Sequence, residues 1–542
     1  MTTESKKGSF EKTPMPIEKK TAMTSRSSKL RHPFRPPNIV LFLVDDMGWQ
    51  DTSIPFHTER TPFNDHFRTP GMERLARRGV CFTNAYSAAV CSPTRTSIMT
   101  GQSPVRHHVT NWTLLQDKDQ SGETDRLRSP RDWRVNGLQP DTTTLPMLLR
   151  RAGYRTIHCG KAHWGVHGTP GSDPRNLGFD VNIAGHAAGS PAGYHGEKFY
   201  GNDENGAYTP PWGVPGLEKY HGTDTHLTDA LTIEALTEID KSVAASRPFY
   251  LYMAHYVVHT PIQEHCPYVA RYRGKCYAGT GIAIPEEEAC YASMVQGMDV
   301  SLGAILDRLE KLGIAQNTLV VFYSDNGGLS AHTRGTTPLG TGANTHNWPL
   351  REGKASAYEG GTRVPAIVAW AATAGDDPHQ QRVPIRAGWR CAVPIICEDL
   401  APSILYWAGA ENLIGELAGL DGRNLTPLLN GSPPIDPNRA LLFHYPHRWG
   451  PPGHGYQPHS AIRIGEWKAI YFYDPRKWEL YNLRGDIGET RDMADSRPDI
   501  LRRLAARMCA LHAERGAQYP VLKSTGEPEP PTWPEDMVPC DE

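Results

Sequence analysis

The sequence predicts an α/β protein built on a parallel sheet, with a small antiparallel unit following it, and three observations carry that prediction. Asn38–Val44 and Leu319–Tyr323 are unbroken runs of branched and aromatic residues, the pattern of strands covered on both faces. Between them lie helical patterns such as Leu227, Leu231, Ala235 and Ile239, spaced to share one face. Beyond residue 410, the short segments Ile462–Ile470 and Trp478–Tyr481 precede a helical stretch near Pro498–Arg515. A chain of 542 residues exceeds one ordinary core. We therefore expect a tail over 1–37, a large domain over 38–410, a C-terminal α+β subdomain over 411–520 and a Pro/Glu-rich tail over 521–542.

The first strand ends abruptly in Asp45-Asp46. In open α/β sheets ligands sit beyond the carboxyl ends of the strands, and two adjacent carboxylates at a core edge repel unless a cation or an arginine neutralises them. Thr69–Gly79 reads as a helix ended by glycine, and Val80–Tyr86 as the strand that leads to Cys91-Ser92-Pro93-Thr94-Arg95. That pentapeptide opens a helix running to Thr100-Gly101, with Pro93 in the first turn. Cys91 then sits at a helix N-terminus that favours an anion, and Arg95 lies four residues on, on the same face.

Leu145–Ala152 reads as a helix and Tyr154–His158 as a strand, followed by Gly160-Lys161-Ala162-His163, where Lys161 and His163 would point to one side if the backbone is extended. The Gly-, His- and Tyr-rich stretch from Gly165 to Leu227 has little periodicity, and its composition favours a substrate-facing role. Strand Phe249–Ala254 leads to His255 and His259, of which we favour His259 as the functional residue. After the long helix Glu286–Leu312, the second apolar strand ends in Asp325-Asn326-Gly327-Gly328 and so repeats the pattern of the first. If the two strands are neighbours, Asp45, Asp46, Asp325 and Asn326 converge as hard oxygen donors suited to calcium or magnesium, not zinc. Gly353-Lys354 and Glu359-Gly360-Gly361 then precede the strand Ala366–Trp370, and a helix around Asp399–Ala408 closes the large domain.

Lys and Arg total 57 against 59 Asp and Glu, a balance that gives no field for nucleic acid or an anionic membrane surface. No window approaches the roughly 18 consecutive apolar residues of a spanning helix. Residues 1–37 have a disordered-tail composition without an apolar signal core, so the chain as read is expected in the cytoplasm. The ten cysteines show no zinc spacing. Cys81, Cys159, Cys391 and Cys397 adjoin apolar runs and are expected to be buried thiols, while Cys266 and Cys276 flank a loop that a disulfide can bridge in an oxidising compartment.

Cys91-x-Pro93-x-Arg95 resembles the C-x-P-x-R signature of the type I sulfatases. The resemblance extends in order from about Asn38 to Leu483 through Asp45-Asp46, Thr100-Gly101, Gly160-Lys161 with His163, His259-Thr260-Pro261, Asp325-Asn326-Gly327-Gly328 and Gly353-Lys354. It implies an alkaline phosphatase-like fold, a large mixed and mostly parallel sheet between helices with a smaller C-terminal antiparallel sheet. It further implies that a formylglycine-generating maturation enzyme oxidises Cys91 to an aldehyde, 3-oxoalanine. One calcium ion would then be held by Asp45, Asp46, Asp325, Asn326 and the modified Cys91. Arg95, Lys161 and Lys354 would neutralise the sulfate ester, a hydroxyl of the hydrated aldehyde would attack sulfur, and His259 would protonate the leaving alcohol. His163 would contact sulfate or nucleophile, and the sequence leaves the two histidine roles interchangeable.

The family acts on sulfated sugars, steroids, aryl esters and choline sulfate. The His- and aromatic-rich stretches 185–208, 332–348 and 444–459 favour a sulfated carbohydrate as substrate, and the look of 178–193 and 334–354 is similar to bacterial polysaccharide-desulfating members, which are usually secreted. Two alternatives stand beside this reading. One is a phosphate or phosphonate monoester hydrolase of the same superfamily, against which counts the lack of an Asp-x-x-x-His segment after Asp325. The other is a non-catalytic sugar-binding protein in which Cys91 stays a thiol.

Overall fold

The computed structural model describes residues 36–205, 207–329, 347–433 and 436–532. The expected tail over 1–35 lies outside them, as do most of the stretches 332–348 and 334–354. Among the described residues the strands are β1 (Asn38–Val44), β2 (Gly79–Tyr86), β3 (Leu127–Arg128), β4 (Arg155–Gly160), β5 (Val181–Ile183), β6 (Phe249–Ala254), β7 (Thr318–Ser324) and β8 (Arg363–Trp370). They continue with β9 (Trp389–Cys391), β10 (Ile395–Ile396), β11 (Ala440–Tyr445), β12 (His459–Ile464), β13 (Trp467–Phe472), β14 (Lys477–Asn482) and β15 (Val521–Leu522). The large sheet has the order β10-β2-β8-β7-β1-β6-β4-β5, with β9 also paired to β2.

β1 pairs in parallel with both β6 and β7, and its side chains alternate between two cores. Ile39, Leu41 and Leu43 join one cluster with Ile98, Leu148 and Ile404, from the helices Cys91–Thr100, Leu145–Arg151 and Leu400–Trp407. Val40, Phe42 and Val44 join the other with Leu75, Leu231 and Met298, from Pro70–Arg78, Leu227–Ala244 and Glu286–Lys311. An unbroken apolar run is what such a two-sided environment selects, since each fully buried aliphatic side chain contributes about 1.5–3 kcal/mol.

The sheet is mixed because β8 alone runs against the rest, antiparallel to both β2 and β7. This reversal delivers the segment that precedes β8, with Lys354, to the edge at which β1, β4, β6 and β7 end. Gly79 ends the helix Pro70–Arg78 as expected, but not through a left-handed turn: its backbone is extended and already starts β2. A Cβ there would lie 2.3 Å from the Val368 carbonyl and 2.5 Å from the Ala369 Cβ, so the glycine serves the close approach of β8. Cys81, Cys159, Cys391 and Cys397 are buried, and Cys266 and Cys276 are exposed and unbridged.

β11 to β14 form a separate antiparallel sheet. Ile462, Ala469, Tyr471 and Leu480 on one face pack against Leu501, Leu504 and Met508 of the helix Pro498–Arg515. Phe443, Ala461, Ile470 and Phe472 on the other face join the core of the large sheet together with Tyr358 and Val364. The stretch after residue 520 pairs back, β15 with β3, and the Trp478 indole N–H donates to the Thr532 carbonyl at 3.0 Å.

A buried charge network ties this C-terminal sheet to the segment 351–363. The Lys468 ammonium lies 3.0 Å from Glu359 and 2.8 Å from Glu489, all three being buried, and Tyr86 donates to Glu359 at 2.6 Å. Burial pushes Glu489 up to about 7, whereas for Glu359 the same burial is outweighed by Lys468, Arg363 and Arg463, which hold its carboxyl low. Arg351 donates to the Glu489 carbonyl at 2.9 Å and stacks over Tyr358 at 3.8 Å, while Tyr358 donates to Glu479 and Tyr456 to Glu352. Removing one member of a buried ion set strands the others in a dry interior. Lys468→Met is therefore expected to lower unfolding stability by about 3–5 kcal/mol in chemical denaturation, and Lys468→Arg to recover part of it.

Candidate active site

Because Val44 pairs with Ser324, the residues after both strands leave the sheet side by side. Asp45, Asp46, Asp325 and Asn326 are all fully buried, as the repeated strand-end pattern predicts. Asp46 has a left-handed backbone, φ 61°, which turns the chain sharply; its N–H donates to Asp325 Oδ1 at 3.2 Å and its Oδ1 accepts from Asn326 Nδ2 at 2.8 Å. A carboxylate oxygen from each of Asp45 and Asp325 and the Cys91 Sγ lie within 4.8 Å of one another.

Three cations face these carboxylates. Lys161 Nζ reaches both oxygens of Asp45 at 2.8 and 2.7 Å, and Lys354 Nζ lies 2.8 Å from Asp46 Oδ2. Arg95 donates from Nε to Asp325 Oδ2 and from Nη1 to the Lys161 carbonyl, both at 2.8 Å. The sequence placed the guanidinium beside Cys91 as an anion ligand; its carboxylate partner is Asp325, so Arg95 braces the acidic cluster and the Lys161 backbone from behind.

The electrostatics follow from burial and these pairings. Burial and the neighbouring Asp325 push the Asp45 carboxyl well up, with Lys161 opposing them. Burial acts the same way on Asp46, but Lys354 and His259 outweigh it and hold that carboxyl low. Burial opposes the charge of Lys354 and Arg95 too, yet Asp46 keeps the ammonium protonated and Asp325 the guanidinium.

This donor set fits a hard divalent cation. The three carboxylates and one amide are all oxygen donors, and the buried Asn326 Oδ1 has no hydrogen-bond partner. A cation of that kind also relieves the mutual repulsion that burial imposes on Asp45 and Asp325.

Cys91 begins the helix Cys91–Thr100, which is buried along its whole length and ends at Gly101 with φ 69°. Burial raises the Cys91 thiol above its ordinary value, and Lys161 and Lys354 offset only part of that. The side chain as genetically encoded is therefore a protonated thiol at neutral pH and not an activated thiolate.

His163 and Lys161 meet at the site, but not by strand alternation: His163 is left-handed, φ 58°, because the chain turns after β4 ends at Gly160. Its Nε2 donates to the Thr113 carbonyl at 2.9 Å, its Nδ1 is buried without a partner, and burial holds the imidazole well below its ordinary value. The ring packs on Gly189, where a Cβ would lie 2.3 Å from it. His259 Nε2 lies 3.5 Å from Asp46 Oδ2, its Nδ1 donates to the Thr260 carbonyl at 2.9 Å, and 16% of its side chain is exposed. Burial and Lys354 bring it down to about 3. His255, its rival in the sequence, is buried under the sheet against Phe42 and pairs with Ser301 Oγ at 2.9 Å.

Of the stretches read as substrate-facing, two reach the site: 185–208, where the His186 carbonyl accepts from His163 N–H and Ser190 Oγ donates to the Thr260 carbonyl at 2.8 Å, and 444–459 through Trp449. His444 and His459 do not reach it. Both are buried in the C-terminal unit, His444 against Ser460 Oγ and the Gln518 carbonyl, because inward-facing strand positions accept a histidine once its nitrogens are satisfied. Sequence reasoning missed Trp112-Thr113 and named Trp449 only within the stretch 444–459; both come to the site across long separations that leave no local signal. Lys354 Nζ lies 5.8 Å from the Trp449 ring centroid.

A sulfatase family model matches residues 37–410, and one described as the C-terminal region of N-sulphoglucosamine sulphohydrolase matches 353–514. The chain is 29% identical over 511 residues to a sulfatase of Formosa agariphila, covering 85% of each chain. It is 32% identical over 462 residues to N-acetylgalactosamine-6-sulfatase of Canis lupus familiaris, covering 82% of this chain and 74% of the relative. Among solved structures, Ps i-CgsB in complex with k-i-k-neocarrahexaose superposes with a TM-score of 0.66 at 27% identity, over 89% of this chain and 94% of that one. With the family model spanning most of the described chain and the strand-end acids beside Cys91, the protein belongs to the sulfatases, the sulfuric ester hydrolases of the alkaline phosphatase-like fold.

Proposed function

We propose that this sulfatase removes sulfate from a sulfated carbohydrate, using Cys91 converted to formylglycine and one calcium ion. The ion would be held by Asp45, Asp46, Asp325, Asn326 and the converted side chain. The observation that carries this reading is the Cys91 Sγ within 4.8 Å of the Asp45 and Asp325 carboxylates, in a pocket that leaves the thiol itself protonated. Bound calcium supplies positive charge that polarises the ester and acidifies its ligands. The hydrated aldehyde would supply one hydroxyl to displace the alcohol from sulfur and a second whose deprotonation re-forms the carbonyl as the carbon–oxygen bond to sulfate breaks, an exit that a serine lacks.

The remaining chemistry belongs to the chain's own side chains. Lys161 and Lys354 draw in and orient the anionic ester, and Arg95, anchored on Asp325 and the Lys161 carbonyl, keeps both the acid and the lysine in place. Buried His163, fixed by its Nε2–H on the Thr113 carbonyl and held neutral, has its unpartnered Nδ1 free to accept from a hydroxyl of the nucleophile. His259 stands nearer solvent, with its Nδ1–H tied to the Thr260 carbonyl; the ring is neutral at rest, so Nε2 would first take up a proton, which the arriving anionic ester favours, and then hand it to the leaving alcohol. The carbohydrate half of the reading is supported by the sugar complex of Ps i-CgsB and by the sugar named for the canine relative.

Three outcomes are expected. The peptide that contains Cys91 has the mass of the aldehyde when the protein is made alongside a maturation enzyme; 4-nitrophenyl sulfate is then turned over faster than 4-nitrophenyl phosphate, and Cys91→Ala lowers turnover by at least about 10³-fold. An unmodified thiol in fully active protein overturns the proposal. Asn326→Ala weakens calcium binding by about tenfold or more in calorimetric titration of chelator-stripped protein, and an unchanged isotherm removes Asn326 from the ligand set. His259→Ala slows a sugar sulfate by about 10²–10⁴-fold but spares much of the rate on an aryl sulfate, whose leaving group needs no proton; equal losses on both reject the general-acid role.

A further inference from the structure

Beside Lys354 the surface opens into a groove of about 500 Å³ lined by Gly122, Glu123, Arg448, Trp449, Gly450 and Pro451. We propose that it receives the sugar unit adjoining the sulfated one, so that the preferred substrate is a sulfated oligosaccharide and not a free sulfated monosaccharide. The inference rests on the carbohydrate reading above and deepens it.

Three observations carry it. The groove adjoins the catalytic centre through Trp449, which lines it while its ring centroid lies 5.8 Å from Lys354 Nζ; Trp112 meets Trp449 edge-on at 6.0 Å. The residue after Trp112 holds the other side of the centre, since Thr113 N–H donates to Ser92 Oγ at 3.3 Å and the Thr113 carbonyl accepts from His163. The two tryptophans therefore stand between the groove and the segments that carry Lys354 and Thr113.

The groove is also preformed. Its walls come from segments more than three hundred residues apart, joined by the Gly122 N–H to Arg448 carbonyl bond at 2.7 Å. The Arg448 guanidinium braces its own loop by donating to the Gly450 and Pro451 carbonyls at 3.0 and 2.9 Å. Walls fixed before binding reduce the ordering cost of holding a ligand.

Its chemistry suits a pyranose, which has an apolar C–H face and a rim of hydroxyls. Trp449 and Pro451 give apolar surface, and the exposed Glu123 carboxylate, whose Oε2 lies 2.9 Å from Lys523 Nζ, has its second oxygen to accept from a sugar hydroxyl.

The test uses the mature full chain on galactose, N-acetylgalactosamine and N-acetylglucosamine sulfates, each as the free sugar and within a matched tetrasaccharide, with 4-nitrophenyl sulfate alongside. For the sugar that is desulfated, kcat/KM on the tetrasaccharide is expected to exceed that on the monosaccharide by at least about tenfold. Trp449→Ala should bring this ratio close to one and Trp449→Phe should restore most of it. Glu123→Ala, on an exposed wall where folding is not at stake, should lower the ratio by about threefold. A ratio near one in the unaltered protein, or equal losses on both chain lengths in Trp449→Ala, overturns the groove and leaves the sulfatase reading intact. Hydrolysis of 4-nitrophenyl sulfate with no desulfation of any sugar overturns the carbohydrate reading, and the groove with it.

Discussion

Three carboxylates, those of Asp45, Asp46 and Asp325, are packed without solvent at the edge of one sheet, and much of the molecule is arranged to keep them there. Taking a single carboxylate out of water costs several kcal/mol unless charge is matched nearby. Lys161, Arg95 and Lys354 supply that match from three different parts of the chain, and the amide oxygen of Asn326 completes a ring of hard donors. The same positive charges that stabilise the buried acids, together with a divalent cation held by those acids, are what an anionic ester needs on arrival.

The reversed strand β8 gives this arrangement its third cation. A wholly parallel sheet would bring each strand's trailing segment to the site, as happens for β1, β4, β6 and β7. Running β8 the other way brings its leading segment instead, and with it Lys354. That segment is held by the C-terminal sheet through Lys468, Glu489, Glu479 and Tyr456. The C-terminal unit thus acts as the mount for one side of the catalytic pocket, and through Trp449 it also forms the pocket's lip. The second family match, which begins at Gly353 and continues into the C-terminal helix, follows the same physical unit.

Cys91 shows why position and chemistry must be read together. A helix N-terminus beside two lysines normally favours a thiolate, yet complete burial outweighs both and the thiol stays protonated. An environment that disfavours the thiolate while surrounding it with hard oxygen donors fits the proposed conversion of Cys91 to an oxygen nucleophile.

The sequence by itself determined the elements and the identity of the acids. Unbroken apolar runs can satisfy only a strand buried on both faces, so β1 and β7 and the residues that end them were legible, as were the Cys91 helix, β6 and the helix Pro498–Arg515. Only the tertiary structure decided which groups meet. It turned Arg95 onto Asp325, chose His259 over His255, set His163 in a left-handed turn that alternation does not describe, and buried His444 and His459 away from the site. It also brought Trp449 to Lys354 and Trp112 against Trp449. The physical reason is that backbone periodicity is encoded by near neighbours, whereas a side chain's partner is fixed by whichever distant segment the sheet order lays beside it.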